Sequence, residues 1–243
     1  MSDEARTPAS DAALAAAELA TEAAAPTALG SAMRSAALLG AFALVFTALM
    51  ALTHRATEAP IRASVEARRL DLIGQVLPRA DYDNALLEDT VTLPALPALG
   101  IDGPVTVHRA RRAGQPVALV FEAQAPDGYS GAIRLLLALR ADGTLAGVRV
   151  IAHKETPGLG DYIDPAKDRS TPKWITQFEG RASAGAATWT VRKDGGDFAS
   201  LTGATLSPRA TIRAAGRAVA TIAPVRDALF ALPSGAPADK VFE

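Results

Sequence analysis

The sequence predicts an α+β protein with one membrane-spanning helix near its N-terminus, followed by an antiparallel meander sheet and flanking helices. Three observations carry that expectation. The stretch "SAALLGAFALVFTALMALT", residues 35–53, runs 19 residues without a charge between Arg34 and the pair His54 and Arg55. Two pairs of apolar-rich runs follow, each folded about a turn signal, Ala113-Gly114 and Asp142-Gly143. Near the C-terminus "PRATIRAAGRAVATIA" returns to helical spacing, with Ile212, Ala215, Val219 and Ile222 on one face.

Taken in order, residues 1–30 are Ala-rich with scattered acidic side chains, Ser, Thr and Pro, the composition of a disordered tail. Residues 31–54 form the span, whose 19 uncharged residues, 35–53, make about 28 Å of helix and so about one hydrocarbon core. A cleaved signal peptide does not fit, because some thirty Ala-rich residues with scattered polar side chains precede the apolar run. Residues 55–103 are a juxtamembrane helix and connector. The helix, "APIRASVEARRLDLIGQVLP", is expected to open at Pro60, carry a stripe of Val65, Leu72, Ile73 and Val76, and stop at Pro78. The rest of the connector, with prolines at 94 and 97, reads as irregular.

Residues 104–232 hold the main domain: four strands in "VTVHRARRAGQPVALVFEAQ" and "AIRLLLALRADGTLAGVRVIAH", a Gly-rich loop, a short helix "KWITQFEG", a strand "ATWTVRK" and the closing helix. Pro224 breaks that helix before a last short one, and 233–243 reads as a flexible tail.

Composition excludes several functions. Lys plus Arg total 25 against 26 Asp plus Glu, so the basic excess with which proteins displace counterions from nucleic acid is missing. The chain has no cysteine, which removes disulfides, thiolate-held clusters and a cysteine nucleophile. Redox chemistry here requires a bound cofactor.

Few motifs carry chemistry. His153 and Glu155 could share a metal, but a hydrogen-bonded loop histidine is the simpler reading; Asp161, Asp164 and Asp168 read as a solvated acidic loop. "GLGDYI" lacks the third glycine and the helix of a dinucleotide fingerprint. In "SLTGATLSP", residues 200–208, Ser207 and Pro208 read as a helix cap and first position. A phosphate near Thr205 would meet the positive end of that helix, with Arg209 or Arg213 adding charge. The same letters also make a plain turn.

Two segments together go further. "HKETPGLGD" at 153–161, Trp174, and "KDGGDFASLTGATLSPRA" at 193–210 closely resemble the FMN-binding domain of the G subunit of the Rnf (Rsx) ion-translocating electron-transport complex. The resemblance covers residues 30–232. It implies FMN attached through its phosphate to the last threonine of an [ST]-G-A-T motif, here Thr205, with Thr202, Gly203 and Ala204 completing the motif. It also implies a flavin-contacting loop of Glu155, Thr156, Pro157, Gly158, Leu159 and Gly160. Trp174 is a stacking candidate whose alternative role is to anchor a short helix in the core. Asp197 is placed where a flavin transferase, which makes the bond from FAD, could read it.

Through the resemblance, the expected function is an electron relay within a complex that couples ferredoxin and NAD redox chemistry to ion movement. The expected partners are the other subunits of that complex, the transferase and the membrane, and no nucleic acid. The alternatives are the related C subunit of the sodium-translocating NADH:quinone reductase, and a membrane-anchored assembly or sensor domain without flavin. Lys154 and "KDGGDF" favour the first.

The family's topology puts the C-terminal domain on the periplasmic face of the bacterial inner membrane. The arginine count points the other way, since Arg34 stands alone before the span while Arg55, Arg62, Arg68 and Arg69 follow it. The family topology is preferred, because long domains translocate largely regardless of charge.

Overall fold

The computed structural model describes residues 28–182 and 189–242; the tail expected over 1–30 lies almost wholly outside them. The chain divides into two units, up to Ala63 and from Ser64 onward. The first is the leading part of helix α1 (Ala28–Gly74), with a mean hydropathy of 2.2 over its most apolar window and none of that window buried. Among the described residues, α1 alone is long and apolar enough to cross a membrane.

The structure corrects the expected helix start at Pro60, which lies inside α1. Proline removes one N–H from the ladder. Alanines on both sides and the Glu58–Arg62 ion pair at 2.5 Å support the helix across it.

The second unit is built on five antiparallel strands in sequential order: β1 (Thr90–Leu93), β2 (Val105–Arg112), β3 (Gln115–Ala125), β4 (Ile133–Arg140) and β5 (Leu145–Ala152). The last four are the two expected hairpins, in register through His108 opposite Val120 and Phe121 opposite Leu137. β1 falls in the connector that reads as irregular. It is only four residues long, and long-range pairing with β2 makes it a strand.

Both sheet faces are covered. On one, Leu119, Phe121, Leu135 and Leu137 pack with Ile212, Ala215, Val219 and Ile222 of helix α2 (Leu206–Ile222), the stripe expected from its spacing. On the other, Ala110, Ala118, Val120 and Ala138 meet Ile73, Val76 and Leu77 at and beyond the end of α1. Gly147 permits that approach, since a Cβ there would lie 2.9 Å from the Val76 carbonyl oxygen. Of the expected juxtamembrane stripe, Ile73 and Val76 are buried, while Val65 is 56% exposed.

The short helix expected in "KWITQFEG" is a 3₁₀ helix, Trp174–Phe178. Two further segments depart from expectation. The expected strand "ATWTVRK" lies partly outside the described residues; Val191 makes one isolated bridge to Phe198 before a 3₁₀ turn at Arg192–Asp194. Beyond the last helix, α3 (Arg226–Ala231), the segment expected to be a loose tail is tied to β1: Thr92 N–H donates to the Ala236 carbonyl and Ala238 N–H to the Thr92 carbonyl.

Arg109 on β2 fastens that end. Its side chain is 2% exposed, paired with Asp89, and donates to the carbonyls of Leu229 at 3.0 Å, Phe230 and Leu232. A buried guanidinium needs such a full set of acceptors.

Candidate functional site

The segments "HKETPGLGD" and "SLTGATLSP" are brought together at the N-terminus of α2. Ser207 is buried in the first turn, and its hydroxyl donates to Glu155 Oε2 at 2.5 Å. The other carboxylate oxygen accepts the Ser130 N–H at 3.1 Å, so Glu155 joins three segments. Gly160 lies against this pair, and a Cβ there would sit 2.4 Å from Ser207 Oγ. The expected cap is therefore corrected. The helix begins at Leu206, Thr205 holds the N-cap position, and Ser207 serves the contact with Glu155. Pro208 is the third helical residue, where its missing N–H is one of those a helix leaves unpaired in any case.

Tyr162 makes the second tie. Its hydroxyl donates to the Ala204 carbonyl and accepts the Leu201 N–H, both at 3.0 Å. Burial is the main cause that pushes the phenol pKa up to about 12, so Tyr162 keeps its proton at neutral pH. Just upstream, Ala199 N–H donates to Gln177 Oε1 at 2.7 Å, and the Ala199 carbonyl accepts the indole N–H of Trp174 at 2.6 Å. Trp174 is 6% exposed, with its ring edge-on to Tyr162 at 5.7 Å and to Phe178 at 5.6 Å. Those contacts are the anchoring role.

Between these ties Thr202 and Gly203 stand exposed. Gly203 has φ +85°, the left-handed region that favours glycine. Arg192, Lys193, Ser200, Thr202, Gly203 and Thr205 line a cleft of about 550 Å³, within the range of small-molecule and cofactor sites. Thr205 is half-buried, and its hydroxyl makes no capping bond or other hydrogen bond among the described residues. The backbone N–H groups of Leu206 and Ser207 are likewise unpaired there. An unused hydroxyl, two free amides at a positive helix end and two cationic side chains fit a phosphate.

The cations are not those the sequence singles out. Arg209 is held by Asp194 at 2.7 Å and Arg213 by Asp127 at 2.5 Å. Arg192 and Lys193 form no ion pair among the described residues, and both line the cleft. Asp197 pairs with Arg181 at 3.0 Å on the surface.

Thr156 is half-buried and Pro157, Gly158 and Leu159 are exposed, so of the expected flavin loop only Glu155 and Gly160 turn inward. Leu201 and Leu206, each more than half exposed, adjoin residues that line the cleft, and Leu159, also more than half exposed, precedes Gly160. His153 is a loop histidine whose Nδ1 accepts the Glu155 N–H at 3.1 Å.

Asp168 departs from the solvated reading. It is 5% exposed and accepts from the Trp174 N–H at 2.5 Å and from Ser170. Burial alone would raise its pKa, but those hydrogen bonds hold it below the usual carboxylate value. Tyr162, Gln177, Arg192 and Lys193 were not singled out from sequence. The phenol inside "GLGDYI" and the basic pair ahead of "DGGDF" were the available signals.

The chain matches two family descriptions, the FMN-binding domain over residues 128–220 and the RnfG N-terminal region over residues 28–76. It is similar to the G subunit of the ion-translocating oxidoreductase complex of Pseudomonas aeruginosa PAO1, 47% identical over 192 residues, 78% of this chain and 87% of that protein. The corresponding G subunit of Shewanella loihica is 41% identical over 192 residues, 78% of this chain and 89% of its own. That of Vibrio cholerae is 41% identical over 184 residues, covering 75% and 86%. The fold and site thus define a protein of the FMN-binding domain class that carries one helix long and apolar enough to cross a membrane. Within that class, the chain belongs to the family of the G subunit of the ion-translocating oxidoreductase complex.

Proposed function

We propose that the chain is a flavoprotein component of an ion-translocating oxidoreductase complex at the bacterial inner membrane, with its C-terminal unit in the periplasm and FMN joined to Thr205. The observation that carries this reading is the unused Thr205 hydroxyl beside unpaired helix amides and two free cations. FMN supplies one- and two-electron redox chemistry, which no side chain here can. A phosphoester forms between Thr205 Oγ and the flavin phosphate as the pyrophosphate bond of FAD breaks. AMP leaves and the hydroxyl proton passes to solvent, with a flavin transferase as catalyst.

The chain's own residues then hold and orient. Arg192, Lys193 and the Leu206 and Ser207 amides neutralise the phosphate, while Gly203 leaves room for the group to cross the loop. Leu159, Leu201 and Leu206 offer apolar surface to the ring system. Tyr162 and Glu155 keep the two loops at fixed spacing, which a relay needs if electron transfer distances are to stay constant. The C subunit of the sodium-translocating quinone reductase and a flavin-free sensor gain no support from the relatives described above, which are G subunits.

The test is mass spectrometry of a peptide spanning residues 194–209, from protein made alongside the transferase. FMN is expected on Thr205, and Thr205→Val should remove it together with the in-gel fluorescence. Covalent flavin on the valine variant would sink the assignment. A C-terminal reporter active only outside the cytoplasm tests the orientation, and its silence would refute the periplasmic placement.

A further inference from the structure

The sheet face opposite α2 carries a second cleft, of about 370 Å³, between the last turns of α1 and strands β2 to β5. Leu72, Leu136 and Ile151 give it apolar walls. Arg134 is paired with Glu122 at its rim, whereas the side chains of Arg68 and Arg69 have no hydrogen bond or ion pair with any described residue. His108 also lines it. That residue is 8% exposed, and its Nδ1 is the single buried side-chain nitrogen or oxygen among the described residues without a hydrogen-bond partner.

Buried polar atoms in native proteins are almost always paired, so one that is not points to a missing partner. Burial and the neighbouring Arg69 lower the His108 pKa, against weaker pulls from the Leu86 carbonyl and Glu122, so the imidazole is neutral at pH 7. The fixed charges around the cleft then sum to an excess of cation: three arginines against Glu122. Unpaired guanidinium forks beside an apolar cavity suit a phosphate with a hydrocarbon body.

We propose that this cleft binds an amphipathic phosphate, with the head on Arg68 and Arg69, the apolar body against Leu72 and Leu136, and a polar atom near the head meeting His108 Nδ1. Two sources share that chemistry: an anionic phospholipid, and a free phosphorylated amphiphile. The site lies across the sheet from Thr205 and does not depend on the flavin reading.

The chain has three histidines, so ring ¹⁵N signals of the full-length protein in phosphatidylcholine nanodiscs can be assigned with His54→Gln and His153→Gln. Octyl phosphate should shift the His108 signals saturably and leave those of His153 in place. Inorganic phosphate alone and the Arg68→Gln/Arg69→Gln variant with octyl phosphate should each bind about ten-fold more weakly or worse. Adding phosphatidylglycerol to the nanodiscs separates the sources. If it moves the His108 signals to the bound position, the occupant is the lipid; if it leaves them unmoved while octyl phosphate shifts them, the occupant is a free amphiphile. The proposal is overturned if neither phosphate moves the His108 signals, or if the double-arginine variant binds as tightly as the parent.

Discussion

Ser207 Oγ and Glu155 Oε2 lie 2.5 Å apart, both side chains buried, across 52 residues of sequence. That bond seats the loop of one motif on the helix of the other. Glu155→Ala leaves the buried Ser207 hydroxyl without an acceptor, while the N–H of the exposed Ser130 turns to water, a loss of about 2 kcal/mol. Glu155→Gln keeps one carbonyl oxygen and should cost about 1 kcal/mol. Urea unfolding of the two variants checks the order, and equal losses would contradict it.

Gly160 is required for space rather than for backbone angle, since its φ of −84° suits any residue. A methyl there meets Ser207 Oγ at 2.4 Å and Glu155 Oε2 at 3.0 Å. Gly160→Ala is expected to cost about 1–3 kcal/mol by overpacking. Gly158→Ala, with open space but φ +76°, should cost about 1 kcal/mol through strain alone. Denaturation midpoints compare them.

Tyr162 gives the fold an alkaline limit. Its folded pKa of about 12 exceeds the ordinary value of 10.0, so the stabilising difference is complete below pH 10 and is lost as pH rises toward 12. The shift corresponds to about 2–3 kcal/mol. Tyr162→Phe should flatten stability between pH 10 and 12 while lowering it at neutral pH, because the Ala204 carbonyl and Leu201 N–H lose their partner. An unchanged alkaline slope in the variant would count against this account.

Arg192 and Lys193 are exposed and form no ion pair among the described residues, so Arg192→Gln/Lys193→Gln should unfold within about 0.5 kcal/mol of the parent. If they neutralise the flavin phosphate, covalent loading should slow by about ten-fold or more. A fluorescence time course on denaturing gels measures it, and loading at the parental rate would remove them from the site.

Regular alternation and turn letters made β2 to β5 legible, and 3.6-residue spacing marked α2. β1 was not, because four residues that stop at a proline carry too little pattern and its pairing comes from distant β2 and the C-terminal segment. Pro60 misled for a related reason: a local rule about helix starts yields to strong helix formers on either side. At the site, the letters marked Thr205 and the two loops. The choice of cation depended on which arginines already had carboxylates, and Asp194 and Asp127 had claimed Arg209 and Arg213. Such partnerships between distant residues leave no trace in spacing.

Arg109 has a consequence for the order in which the protein is made. Its carbonyl partners at Leu229, Phe230 and Leu232 are synthesised about 120 residues after it. While the nascent chain is still short, the inner strand cannot close over that guanidinium without burying a charge that lacks most of its acceptors, at a cost of several kcal/mol. The sheet therefore reaches its final packing only as the last turns emerge, and release of a truncated chain would leave an unfinished sheet.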